Sequence, residues 1–183
     1  MEKNWQTILV AIGANLPGPG GRTPLDTCRW AAAQLAALPG LRLDALSRWY
    51  ESAPVPPSGQ PSFVNGAARL SGVAEPSALL EVLHGIEAAA DRVRTVPNAA
   101  RTLDLDLIGM DGLVLQDGPL RLPHPRAAER AFVLAPLCDV APGWTHPVLG
   151  LTASALLPDV AGQATHVLPS FTPPLSGATV ASK

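Results

Sequence analysis

The spacing of apolar positions changes along the chain, and the changes mark elements. Thr7–Gly13 is β-rich and apolar throughout, which predicts a buried strand. Thr23-Pro24-Leu25-Asp26 opens a helix: Thr23 can cap it, Pro24 fits the first turn and Asp26 favours the positive helix end. Pro39-Gly40 stops that helix after about Leu38. Leu41–Ser52 reads as a second strand, and the proline-rich run Ala53–Ser62 reads as a loop. In the third strand, Phe63–Leu70, alternation puts Phe63, Asn65, Ala67 and Arg69 on one face, with Val64, Ala68 and Leu70 on the other. Leu79, Leu83, Ile86 and Ala90 recur at helical spacing and predict a helix over Pro76–Arg92. Arg101–Ile108 is a fourth strand, Leu113–Leu122 a small hairpin, and Ala127–Leu137 and Leu151–Leu157 short helices.

The order β-α-β-β-α-β predicts a ferredoxin-like α/β (α+β) fold. It implies an antiparallel sheet with helices on one face and the other face free for loops and a ligand. Residues 1–160 form the predicted domain. Residues 161–183 form an extension rich in Pro, Ser, Thr and Gly, expected to be largely disordered.

Candidate chemistry centres on Arg101-Thr102-Leu103-Asp104-Leu105-Asp106-Leu107. On a strand the three leucines enter a core, and Asp104 and Asp106 share the opposite side, roughly 7 Å apart along the backbone. At an effective dielectric near 20 two bare carboxylates at that spacing repel by roughly 2–3 kcal/mol. A divalent cation reverses the sign, and hard oxygens with open positions suit Mg²⁺ carrying phosphates. The competing reading is a solvated strand face. Phe63 and Asn65, on one strand face after the proline loop, suit a flat heterocycle by stacking and edge hydrogen bonds, although Phe63 alone would pass for core.

Composition sharpens this picture in a few places. With 183 residues, 47% hydrophobic and 15% charged, the chain is too apolar for a disordered protein. A net charge of −2 argues against nucleic acid as a partner. No apolar run reaches membrane-spanning length, and Met1–Leu16 lacks the form of a signal peptide, so a cytoplasmic protein without a membrane partner is expected. Cys28 and Cys138 lack metal-site spacing. Lysine stands only at Lys3 and Lys183, the remaining cations are arginine, and six arginines fall between Arg92 and Arg130. Arginines around a carboxylate pair are what phosphoryl transfer needs, because they take up charge on the transferring group. Weak surface ion pairs are the alternative. No P-loop, G-x-G-x-x-G or G-x-S-x-G is present.

Six blocks, in order, are Ala11–Leu16, Gln60–Asn65, Arg92-Val93-Arg94, Arg101–Asp106, Leu122–Arg126 and Glu129–Phe132. Together they resemble the 6-hydroxymethyl-7,8-dihydropterin pyrophosphokinase family of folate biosynthesis, over roughly Ile8 to Leu157. The resemblance implies transfer of pyrophosphate from ATP to the pterin hydroxymethyl group. Asp104 and Asp106 match aspartates that bind two Mg²⁺ ions. Ser52, Val55, Phe63, Asn65 and Phe132 match the pterin pocket, with Phe63 and Phe132 sandwiching the ring. His84, Glu87, Arg92, Arg94, Arg101, His124 and Arg130 match positions around ATP, and Arg92 and Arg101, with the two aspartates, are the catalytic candidates. Mobile loops are implied at Ala14–Gly21, Ala53–Ser62 and Thr95–Ala100. Departures from the family pattern are Pro97 and Ala99-Ala100, which bear on loop closure, and His84 where glutamine is usual. A monomer acting on small molecules is expected. The rivals are another magnesium-dependent phosphotransferase, an inactive pterin- or nucleotide-binding module and a plain interaction domain.

Overall fold

The structure, a computed structural model, describes residues 5–93 and 98–169. Its elements are β1 (Gln6–Ala14), α1 (Pro24–Ala36), β2 (Leu41–Leu46), β3 (Tyr50–Ser52), β4 (Phe63–Gly72), α2 (Pro76–Ala89), β5 (Asp104–Met110), α3 (Ala131–Val140), α4 (Ala153–Leu156) and β6 (Thr165–Val167). The strands run β5-β1-β4-β3-β6, with β2 also on β4, and every pairing is antiparallel. This is the ferredoxin-like arrangement expected from the element order. Thr23 caps α1 as its sequence suggests, its hydroxyl accepting from the Asp26 amide at 3.2 Å.

Two apolar layers sandwich the sheet. Ile8, Val10, Ile12, Leu70, Leu105 and Leu107 pack against α1 and α2. Leu9, Ala67 and Ile108 pack on the opposite face with Val133, Leu134 and Leu137 of α3 and Leu156 of α4. The expectation of helices on one face is therefore corrected: α3 and α4 cover much of the second face. The physical reason is that this face carries large apolar side chains at one end, and these demand burial. The end bearing Phe63, Asn65, Asp104 and Asp106 stays open as a cavity.

Other differences from the expected elements have local causes. The long strand Leu41–Ser52 is two strands. At the break the Ser47 hydroxyl accepts from the Ala67 amide at 2.9 Å and donates to the Arg48 carbonyl at 2.6 Å, replacing ladder bonds. The Trp49 ring lies against Gly66, where a Cβ would come within 2.5 Å of it. The fourth strand starts at Asp104, because the Arg101 backbone is held by Asn15 instead of a partner strand. Ile108 follows Asp104 and Asp106 onto the second face by alternation, and a bulge past Leu107 then turns Met110 back to the first. The predicted helix over Ala127–Leu137 is a 3-10 turn and α3, separated by Arg130 in extended backbone at φ −129°, ψ 112°. The predicted hairpin survives as a bridge between Leu115 and Leu122. Strand β6 falls within the extension and was not anticipated. The tail from residue 170 onward lies outside the described residues.

Candidate active site

Register assembles the site. Gly13 at the end of β1 is opposite Asn65 of β4 on one side and Asp104 of β5 on the other. Ala11, two residues back on the same face, is opposite Ala67 and Asp106. A small residue between the two functional strands leaves the floor open, and a Cβ on Gly13 would stand 3.3 Å from Asn65 Oδ1. Above this floor is a cavity of about 490 Å³. Ser52, Val55, Phe63, Asn65, His84, Glu87, Arg92, Arg101, Asp104, Asp106, His124, Arg130 and Phe132 all line it. Of the candidate site residues from sequence, Arg94 lies outside the described residues, as do Thr95, Val96 and Pro97 of the adjoining loop.

One side of the cavity suits a planar, hydrogen-bonding ring. Asn65 is 4% exposed, and its Nδ2 donates to the Ser52 hydroxyl at 2.8 Å. That bond fixes the amide plane and leaves Oδ1 and one N–H for a ligand edge. Phe63 and Phe132 each carry a guanidinium: Arg101 stands 6.0 Å from the Phe63 centroid, and Arg130 5.4 Å from that of Phe132. The Ala53–Ser62 loop supplies further walls through Pro54, Val55, Pro56 and Gln60.

The other side is charged. Asp104 accepts from Arg92 on Oδ1 and from Arg101 on Oδ2, the latter at 2.8 Å. Buried Glu87 accepts from Arg92 and from the Leu105 amide at 2.8 Å, so it orients Arg92 and anchors β5. Asp106 makes no hydrogen bond or ion pair among the described residues. Burial pushes its carboxyl above the usual range, the neighbouring Asp104 adds to the rise, and His124, Arg130 and Arg92 oppose it. The backbone of His124 is held by the Ile108 carbonyl at 2.8 Å, and its Nδ1 accepts from the Arg126 amide at 3.2 Å, leaving Nε2 toward the cavity. Burial lowers the His124 pKa against the pull of Asp106, which favours the neutral ring. The Arg130 Nε is buried without a hydrogen-bond partner among the described residues, so it is available to an anion.

No group of three or more metal-ligating side chains occurs among the described residues. Two carboxylates, one unpartnered and desolvated, fit a hard cation whose remaining ligands are phosphate oxygens and water.

Three residues at or beside the cavity, Asn15, Gln60 and Asn98, received no role of their own from sequence. Asn15, 2% exposed, donates to the Pro61 carbonyl at 3.1 Å and to Gln60 Oε1 at 3.3 Å, and accepts from the Arg101 amide at 2.8 Å. Gln60 donates to the Asn98 carbonyl at 2.9 Å, and Asn98 Oδ1 accepts from Arg126 at 3.4 Å. This relay ties the proline loop to the arginine segment. Its signal in the sequence is slight: an amide at the end of an apolar strand and another inside a proline loop.

The chain is similar to a known family and to characterised proteins. The family described as 7,8-dihydro-6-hydroxymethylpterin-pyrophosphokinase (HPPK) matches residues 9–142. The 2-amino-4-hydroxy-6-hydroxymethyldihydropteridine pyrophosphokinase of Synechocystis sp. is 38% identical over 152 residues, 83% of this chain and 75% of its own. The protein of the same description from Pseudomonas aeruginosa is 40% identical over 137 residues, 75% of this chain and 82% of its own. A Plasmodium falciparum HPPK-DHPS structure with pterin and p-hydroxybenzoate superposes with a TM-score of 0.66 at 13% identity. That match covers 88% of this chain and 44% of the longer one, and bears on the fold alone.

Proposed function

The chain belongs to the 7,8-dihydro-6-hydroxymethylpterin-pyrophosphokinase family, and from that membership we propose how its cavity works. It transfers a pyrophosphoryl group from ATP to the hydroxymethyl oxygen of 6-hydroxymethyl-7,8-dihydropterin in folate biosynthesis. The acceptor loses its hydroxyl proton, the bond between the α- and β-phosphates of ATP breaks, and AMP leaves. The observation that carries this reading is the three-strand row Asn65–Gly13–Asp104, which faces a ring-reading amide and a carboxylate pair into one cavity.

Asn65, held by Ser52, reads the pterin edge, Phe63 and Phe132 enclose the ring, and Val55 closes the side. Arg92, Arg101, Arg130 and His124 surround the phosphates, with Arg94 expected beside them. His84 faces the nucleotide, while Glu87 acts through Arg92. Asp104 and Asp106 would hold Mg²⁺, two ions being expected with ATP bound, and metal bound there would neutralise phosphate charge and make the acceptor hydroxyl more acidic. The remaining work is placement: the hydroxyl must meet the β-phosphorus in line, and donors must await the charge that develops. No side-chain nucleophile is required.

Full-length protein is incubated with Mg-ATP, with and without hydroxymethyldihydropterin, and the nucleotide products are separated. Acceptor-dependent AMP is the expected result. Formation of ADP, or absence of turnover with both substrates bound, overturns the reading.

A further inference from the structure

Residues 163–168 follow the family match, which ends at residue 142, yet this run touches both walls of the cavity. Strand β6 pairs with β3, placing Thr165 opposite Ser52, Glu51 opposite His166 and Tyr50 opposite Val167. The Leu168 amide donates to the Trp49 carbonyl at 2.8 Å. Just before β6, the Gln163 carboxamide reaches the entry to α3. Its Oε1 accepts from the Ala131 amide at 3.0 Å, and its Nε2 donates to the Glu129 carbonyl at 2.7 Å. These two backbone groups flank Arg130, whose own side chain gives α3 no cap.

We propose that Gln163 is a positioning residue for the acceptor pocket, acting as a cap supplied from a distant segment. The break before α3 leaves Arg130 in extended backbone, and that geometry turns both Arg130 and Phe132 into the cavity. A helix start without a local cap leaves amides unsatisfied and frays. Gln163 supplies the missing acceptor and also fixes the preceding carbonyl. A carboxamide does both jobs; a carboxylate would face the Glu129 carbonyl with no donor. Because the same segment pairs with β3, the walls bearing Phe132 and Ser52 are set relative to each other by one strap.

The inference rests on the acceptor reading given above. Gln163→Ala and Gln163→Glu are compared with the unaltered full chain, following acceptor binding by pterin fluorescence and nucleotide binding by calorimetry. Both variants are expected to raise the acceptor dissociation constant by about fivefold to twentyfold, as loss of a cap and its paired bond implies. Nucleotide affinity, to which Arg130 contributes as one of several phosphate-facing groups, should fall less, by no more than about threefold. Gln163→Asn, which keeps the carboxamide on a shorter stem, is expected to fall between Gln163→Ala and the unaltered chain. Acceptor affinity unchanged in both main variants overturns the proposal, as does an equal loss of acceptor and nucleotide affinity, which marks a merely structural residue. An unaltered chain that binds no pterin defeats the acceptor reading itself and is thereby distinguished.

Discussion

Asp106 should be both necessary for turnover and harmful to the stability of the unliganded fold. It shares a strand face with Asp104 at about 7 Å, has no hydrogen bond among the described residues, and sits where burial raises its pKa. Repulsion of roughly 2–3 kcal/mol at an effective dielectric near 20 is partly offset by Arg92, Arg130 and His124, leaving about 1 kcal/mol of net strain. A carboxyl whose folded pKa is raised is held protonated more readily in the native state than in the unfolded chain. Stability therefore falls as pH rises from the unfolded value, near 4, through the folded one. Asp106→Asn removes that loss. The variant should match the unaltered chain below about pH 4 and exceed it at neutral pH by about 1 kcal/mol, or about 2–4 °C in Tm for a chain of this size. Turnover should fall by about three orders of magnitude or more, because the charge that holds the cation is gone. Adding Mg²⁺ with a non-hydrolysable nucleotide should raise Tm strongly only in the unaltered chain. Thermal melts from pH 3 to 8 and single-turnover assays measure both halves. A variant less stable than the unaltered chain at pH 7, or one keeping more than about a tenth of its turnover, refutes the reasoning.

Three further outcomes follow from the geometry. Arg101→Ala removes a guanidinium from both Asp104 and the phosphate side, and should lower single-turnover rates by about 10²–10³; a loss below about tenfold would count against that role. Asn65→Ala should weaken acceptor binding by about tenfold to a hundredfold and leave nucleotide affinity within about twofold, read by titration of each ligand alone. Asp139 concerns stability alone: burial tends to raise its pKa, but bonds from Arg48 at 2.7 Å and Tyr50 at 2.9 Å outweigh burial and hold it below the usual range. Its contribution is present above the unfolded pKa and lost as pH falls through the lower folded one. Because the Arg48 side chain is 62% exposed, Asp139→Asn should cost only about 1 kcal/mol in urea melts at pH 7, with the difference vanishing toward pH 2.

Much of the fold was legible because its signals are local. The buried run of β1, the Thr23 cap and the period of α2 each report their element within a few residues. The covering of the second face was not legible, because it depends on where α3 docks, and a helix with Pro136 inside it and Asp139 as its one charged residue does not announce a partner face. Nor was the break at Ser47, whose hydroxyl competes for ladder bonds only once Ala67 lies opposite. Strand β6 is three residues long in a stretch without apolar alternation, and only the free edge of β3 gives it a reason to form.

The candidate site follows the same division. The residues facing one another across it belong to strands whose alternation is plain in sequence, so Asn65, Asp104 and Asp106 could be assigned to faces before any contact was known. Bringing them together depends on register, and register depends on Gly13 being small enough to sit between them. The residues without a role assigned from sequence, Asn15, Gln60 and Gln163, bind backbone groups of distant segments, and such amides carry no periodic signal. What they hold is also the least self-supporting part of the cavity. Asp104 has both oxygens engaged by arginines, while Asp106 has none among the described residues. On the proposed reading, Asp104 and Asp106 would hold a cation together only if Arg92 and Arg101 gave up Asp104, and those guanidinium groups would then be free to bind phosphate. Pairing before binding would thus keep Arg92 and Arg101 ordered at the cavity wall, at the expense of Asp106, which is desolvated and without a hydrogen-bond partner among the described residues.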